Sequence, residues 1–168
     1  AQKFSLYGNL TVRENLEFFG GAYGLRGQTL RERVDAALAQ FSLEPKANSG
    51  QLPGGYKQRL AMAAGLLHEP DILFLDEPTS GIDPLARRAF WRTITSLAQD
   101  GVTIVVTTHF MEEAEYCDRI AIQDAGRVLA LGTPQQVRQQ GGCGHMGDMN
   151  SAFIAIVERG RLAGEVPT

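Results

Sequence analysis

The 168 residues include only two cysteines, Cys117 and Cys143, and a single tryptophan. Two cysteines are too few for a disulfide scaffold, and a reducing compartment is the simpler setting for such a chain. Basic residues are not in excess: 16 Lys and Arg stand against 19 Asp and Glu, a formal net charge of −3. That balance leaves no electrostatic footprint for nucleic acid and no polybasic patch for a membrane surface. No apolar run approaches the ~20 residues that cross a bilayer, and nothing has the order of a secretory signal. Internal repeats and low-complexity tracts are also missing. What is present is an ordinary globular composition, 43% hydrophobic and 21% charged. The length fits one domain of roughly 100–200 residues with a sizeable core. The chain opens Ala1-Gln2-Lys3 without an initiator Met, so a piece of a longer protein is expected.

Local patterns alternate between helix and short strand. Thr11 and Glu14 have capping-box spacing, and Val12, Leu16 and Phe19 then share one helical face up to a stop near Gly20-Gly21. Thr29 and Glu32 repeat the spacing beside a stripe of Leu30, Val34, Ala37, Leu38 and Phe41. The stretch 44–55 holds two prolines and three glycines and reads as loop. Residues 56–67 read as a helix that stops before Pro70. Two apolar runs, Ile72-Leu73-Phe74-Leu75 and Val102-Thr103-Ile104-Val105-Val106, read as strands buried on both faces of a parallel sheet. A helix expected over 84–97, with Pro84 at its start, completes a β-α-β unit. A hairpin is expected about Asp124-Ala125-Gly126, and further helices after Thr133 and Asn150. The fold class is α/β.

Three places carry chemistry. Asp76 and Glu77 follow directly on the first apolar run, at the carboxyl end of a strand where α/β folds bind ligands. One acid can hold a Mg²⁺, usually through water, while the other orients or deprotonates an attacking water. Taken alone, the pair also reads as two solvated acids. His109 ends the second run as Thr107-Thr108-His109. It sits beside the acids if the strands are neighbours, where it could hydrogen-bond a γ-phosphate; otherwise it is a structural histidine. Gly54 and Gly55 open a helix, where exposed N–H groups form an anion site, unless they are a plain turn.

Together and in this order, Gln2, Leu52-Pro53-Gly54-Gly55-Tyr56, Leu75-Asp76-Glu77-Pro78, Ser80-Gly81-Ile82-Asp83 and His109 resemble the ATP-binding cassette of ABC transporters. The resemblance covers nearly the whole chain. It implies the C-terminal part of a P-loop NTPase cassette, a mostly parallel sheet core with a helical subdomain. Residues 1–55 would be the Q-loop and helical signature subdomain. Residues 56–135 would be the rest of the RecA-like core, with Walker B, D-loop and H-loop, and 136–168 a helical tail. It implies that Gln2 reaches Mg²⁺ and the attacking water. Gly54, Gly55 and Tyr56 would cap ATP held by the opposite cassette. Asp76 would serve the Mg²⁺, Glu77 would be the catalytic glutamate, Asp83 the D-loop aspartate at the nucleotide, and His109 the switch histidine. ATP and Mg²⁺ are the implied ligands. The implied partners are a second cassette in a head-to-tail dimer and an ABC-2-type transmembrane permease, without nucleic acid. The implied place is the cytoplasmic face of the inner membrane, as a peripheral subunit. The segments 2–7 and 108–115 are similar to the drug- and lipid-export branch, as is Ala152-Phe153-Ile154-Ala155. A soluble or ribosome-associated ABC ATPase and a non-hydrolysing remnant are the alternatives.

The pattern also departs from the family. No G-x-x-x-x-G-K-[ST] occurs anywhere in the chain, so the phosphate-cradling loop and its Lys are missing. The family carries that loop ahead of the Q-loop. A cassette truncated before the Q-loop is therefore expected, active as an ATPase in its intact parent and inactive alone. Pro53 stands where the family usually has Ser and brings neither hydroxyl nor N–H. The ATP site completed by this signature is expected to be the weaker of two. Tyr56 replaces the usual Gln. Cys143-Gly144-His145 offers two ligands, short of the three protein ligands a zinc site normally has.

Overall fold

Helix α1, Val12–Ala22, starts as its capping box requires. The Thr11 hydroxyl accepts from the Glu14 amide, and the Glu14 carboxylate accepts from the Thr11 amide at 2.7 Å. The structure is a computed structural model describing residues 6–142 and 148–164. Helix α1 ends at Ala22, one residue past the Gly20-Gly21 pair near which a stop is expected. Gly20 also serves packing: a Cβ there would lie 2.5 Å from Leu30 Cδ1, so this glycine lets two helices approach. Helix α2, Gly27–Gln40, begins ahead of the Thr29 start expected from its spacing. The Glu32 carboxylate accepts from the Gln28 side chain instead of reaching back to Thr29, so no capping box forms there. The expected stripe does face inward, with Val34, Ala37, Leu38 and Phe41 buried.

The contacts divide the chain into two units, Ala1–Thr107 and Thr108–Thr168. In the first, a short 3-10 turn at Ser49–Gln51 leads to α3, Gly54–Leu66. Asn15 and Ser49 are fully buried and hold this end of the unit together. The Asn15 amide donates to the carbonyls of Tyr7 and Thr11 and to Ser49 Oγ, and its oxygen accepts from the Tyr7 amide at 2.9 Å. Removing one partner from such a buried network leaves the others unsatisfied. Asn15→Ala is therefore expected to lower the unfolding free energy by about 2 kcal/mol, read as an earlier midpoint in a urea titration.

Strand β1, Ile72–Asp76, pairs in parallel with β2, Thr103–Thr107. Between them α4, Pro84–Gln99, has Pro84 in its first turn and Asp83 as its cap. Phe90, Trp91, Ile94 and Leu97 form its buried face. The strands are not buried on both faces, as the continuous apolar runs led one to expect. Leu73 is buried, but Phe74 is 73% and Ile72 50% exposed. Among the described residues the sheet has two strands, with contacts from β2 to α4, and one face stays open.

The second unit opens with a 3-10 helix, Met111–Tyr116. The expected hairpin follows as β3, Ile120–Asp124, and β4, Arg127–Gly132, paired antiparallel. Its two turn residues, Ala125 and Gly126, both have positive φ, +47° and +75°, which matches the twist of the strands. Helices α5, Pro134–Gln140, and α6, Met149–Gly164, pack with the hairpin around Ile122, Val137, Met149 and Ile156. Arg161 on α6 hydrogen-bonds Asp124 and holds its carboxyl below the usual range. No helix among the described residues is long and apolar enough to cross a membrane.

Candidate active site

The first cluster lies at the carboxyl end of the parallel pair. The strands run in register, so Asp76 stands opposite Thr107. Thr107 Oγ1 donates to Asp76 Oδ1 at 2.5 Å. The Glu77 amide reaches both the Thr107 carbonyl and Thr107 Oγ1 at 3.0 Å. Glu77 itself has left for the left-handed region, with φ +42°. Its carbonyl accepts from the Ser80 amide at 3.1 Å, which turns the chain back toward α4. Asp76 is exposed and Glu77 half-buried. An exposed carboxylate at a strand end is a hard oxygen donor. One such acid fits Mg²⁺, which keeps several waters and takes one or two carboxylates plus substrate phosphates. It does not amount to an all-protein cage, and among the described residues no group of three or more His, Cys, Asp or Glu could hold a metal.

The second cluster is the start of α3. Pro53 caps it with φ −56° and ψ 153° and makes no side-chain cap bond. Its carbonyl accepts from the Tyr56 and Lys57 amides. The amides of Gly54 and Gly55 are the helix's first two, which lack partners inside the helix and carry its positive end. A Cβ on Gly55 would meet Ala86 Cβ at 3.2 Å, and one on Gly54 would meet Ile82 Cγ2 at 3.5 Å. The glycines thus sit against the start of α4. Asp83 is there too, with Oδ1 accepting from the amides of Leu85 and Ala86. A cleft of about 130 Å³ is lined by Pro53, Gly55 and Tyr56 together with Ile82, Asp83 and Ala86. Tyr56 is 42% exposed, with the Arg59 guanidinium 5.0 Å from its ring centroid.

His109 belongs to the second unit. It is exposed, and its ring lies 4.1 Å from that of Phe110. The segment is tied down by its neighbours. Thr108 Oγ1 donates to Glu113 at 2.6 Å and accepts from the Phe110 amide at 3.0 Å, and Glu113 is 1% exposed. Burial pushes the thiol of nearby Cys117 up from its usual value. Gln2, Cys143 and His145 lie outside the described residues.

The structure therefore brings Asp76 and Glu77 together, and Gly54, Gly55 and Tyr56 to the side of Asp83. It also adds two roles that sequence reading left out. Asp83 is a helix cap, a signal already present in Asp followed by Pro. Thr107 links the Asp76 side chain to the Glu77 backbone, a role that only the parallel register reveals.

A parallel β-α-β unit with paired acids at the carboxyl end of its strand, beside a helix opening on Gly-Gly, has the layout of a ligand-binding α/β fold. More narrowly, the chain is similar to the ATP-binding domain of ABC transporters. Residues 1–80 match the family described as ABC transporter. The chain is 54% identical over 161 residues to the probable multidrug ABC transporter ATP-binding protein YbhF of Escherichia coli K12, covering 94% of this chain and 28% of that protein. It is 45% identical over 139 residues to the Nod factor export ATP-binding protein I of Burkholderia lata, covering 80% of this chain and 46% of that protein. It resembles the dimeric post-hydrolysis structure of the ATP-binding cassette MJ0796 bound to ADP and Pi, with TM-score 0.68 and 31% identity, covering 79% of this chain and 60% of that one. The chain thus spans less than half the length of these two relatives.

Proposed function

We propose that this chain is the C-terminal part of a cassette that hydrolyses ATP to power an ABC exporter. The observation that carries the reading is the acid pair Asp76-Glu77 at the end of β1, braced in register by β2. The likeness to proteins named for multidrug and Nod factor export supports export as the process. The likeness to a dimeric cassette with ADP and Pi supports a head-to-tail pair of cassettes. The further partner is an ABC-2-type permease, with the cassette peripheral at the cytoplasmic face of the inner membrane. By function, residues 1–55 form the signature subdomain, 56–135 the core and 136–168 the tail, and a phosphate-cradling loop ahead of Gln2 completes the site in the intact parent.

In this reading Asp76 would hold Mg²⁺ through water, and the ion would supply charge neutralisation on the phosphates. Glu77 orients the attacking water and accepts its proton. The first amides of α3, at Gly54 and Gly55, face the γ-phosphate held by the opposite cassette. Asp83 fixes the start of α4 beside them. The family resemblance assigns Gln2 to Mg²⁺ and the attacking water, and His109 to the γ-phosphate. Pro53 adds no hydroxyl to that anion site, and the composite site that includes it is the weaker one.

The test is a Mg²⁺ titration of ATP hydrolysis by the intact subunit. Asp76→Asn is expected to raise the half-maximal Mg²⁺ concentration by about tenfold or more. An unchanged titration would remove Asp76 from the metal site.

A further inference from the structure

We infer that Thr107 is a positioning residue for hydrolysis, setting the Asp76 carboxylate and the Glu77 backbone with one hydroxyl. The inference rests on the proposed roles of Asp76 and Glu77. A threonine hydroxyl has one proton to give and two lone pairs to receive. Here its proton goes to Asp76 Oδ1 at 2.5 Å, and it receives the Glu77 amide proton at 3.0 Å. The result is a short chain of hydrogen bonds, Glu77 N–H to Thr107 Oγ1–H to Asp76 Oδ1. It crosses from one strand to the other at the point where the register pairs Asp76 with Thr107.

Both ends of that chain matter to the chemistry. At one end, the bond to Oδ1 fixes the plane of the Asp76 carboxylate, and with it the direction of Oδ2. A hydrogen bond to an acid that serves a metal through water tunes both its orientation and its basicity. At the other end, Glu77 adopts φ +42°, a conformation rare for a residue with a long side chain. Such a conformation persists only where the surroundings hold it. Two acceptors on Thr107, its carbonyl and its hydroxyl, share the Glu77 amide. The carbonyl bond survives any substitution, whereas the hydroxyl bond does not. Strand geometry alone does not call for the hydroxyl, since valine has the same branched shape and suits a strand equally well.

That equivalence supplies the experiment. ATP hydrolysis is measured in the intact ATPase against both ATP and Mg²⁺, for wild type, Thr107→Val, Thr107→Ser and Glu77→Gln, with a thermal melt of each. Thr107→Val is expected to lower kcat by about 10- to 100-fold and to raise the Mg²⁺ requirement several-fold. Its KM for ATP and its melting temperature stay near wild type, and Thr107→Ser recovers kcat to within about twofold. Wild-type kcat and Mg²⁺ dependence in Thr107→Val overturns the inference. So does an equal loss in both Thr107 variants accompanied by a lower melting temperature, which marks a purely structural residue. Glu77→Gln separates the two layers. If it hydrolyses ATP normally, the reading of the acid pair fails. If it is inactive while Thr107→Val is normal, only the positioning role fails.

Discussion

Glu77→Gln in the intact ATPase is expected to lower steady-state turnover by about 100- to 10,000-fold, the span that a positioned general base contributes. The amide has the size and shape of the carboxylate but cannot take a proton from water. The turn that carries it should not move. It is held by main-chain bonds, Glu77 N–H to the Thr107 carbonyl and Ser80 N–H to the Glu77 carbonyl, and neither involves the Glu77 side chain. Nucleotide affinity should therefore stay within about threefold, so that the loss appears in kcat and not in binding. Equilibrium binding of labelled ATP beside a phosphate-release assay distinguishes the two. Unchanged turnover would exclude Glu77 as the base.

Gly55→Glu is the second large effect, and here fold and function respond to the same charge in opposite ways. An acid in the first turn of a helix interacts favourably with the helix dipole. The introduced Cβ meets Ala86 Cβ at 3.2 Å, a contact that a shift of a few tenths of an ångström relieves. Gly55→Ala carries the same Cβ and gains helix propensity, so it serves as the steric control. The carboxylate, however, projects where the first amides of α3 would meet a phosphate, and it repels that anion. Turnover by the intact dimer is expected to fall by about 100-fold or more, comparable to losing a hydrogen-bond donor to a developing anion. The melting temperature should barely change. Turnover equal to that of Gly55→Ala would mean that α3 faces no phosphate.

Much of the fold could be read from local pattern because its determinants are local. A capping box needs four residues, and Thr11-Val12-Arg13-Glu14 has them. A two-residue hairpin turn needs two left-handed positions, and Ala125-Gly126 supplies them. What local pattern missed depends on partners that the pattern does not contain. Gly20 marks the end of α1 to within two residues, but only Leu30 placed against it shows the glycine as a contact within the helix pair. Thr29 and Glu32 have a capping spacing, but Gln28 binds the Glu32 side chain instead. The apolar runs of β1 and β2 say that these strands are at home in a core, yet they cannot say what covers each face. The site divides in the same way. The acid pair and the Gly-Gly helix start are contiguous in sequence and could be recognised directly. Thr107 could not, because its role depends on which residue the parallel register sets opposite Asp76. Asp83 was read for its chemistry, while its part in starting α4 is fixed by amides two and three residues on.

Glu77 and Ala125 share a backbone conformation that side-chain-bearing residues avoid, with φ +42° and +47°. At roughly 1–2 kcal/mol each, these are comparable departures from the best attainable stability, but they are not equivalent for the protein's future. At the hairpin tip an Asn or Gly in place of Ala125 would relax the turn and leave the Asp76-Glu77 pair unchanged, so that position is open to drift toward a sturdier fold. At Glu77 the same relaxation would remove the carboxylate itself. Selection for heat resistance can therefore act on one strained residue while the other stays closed to it, because there strain and chemistry occupy the same residue.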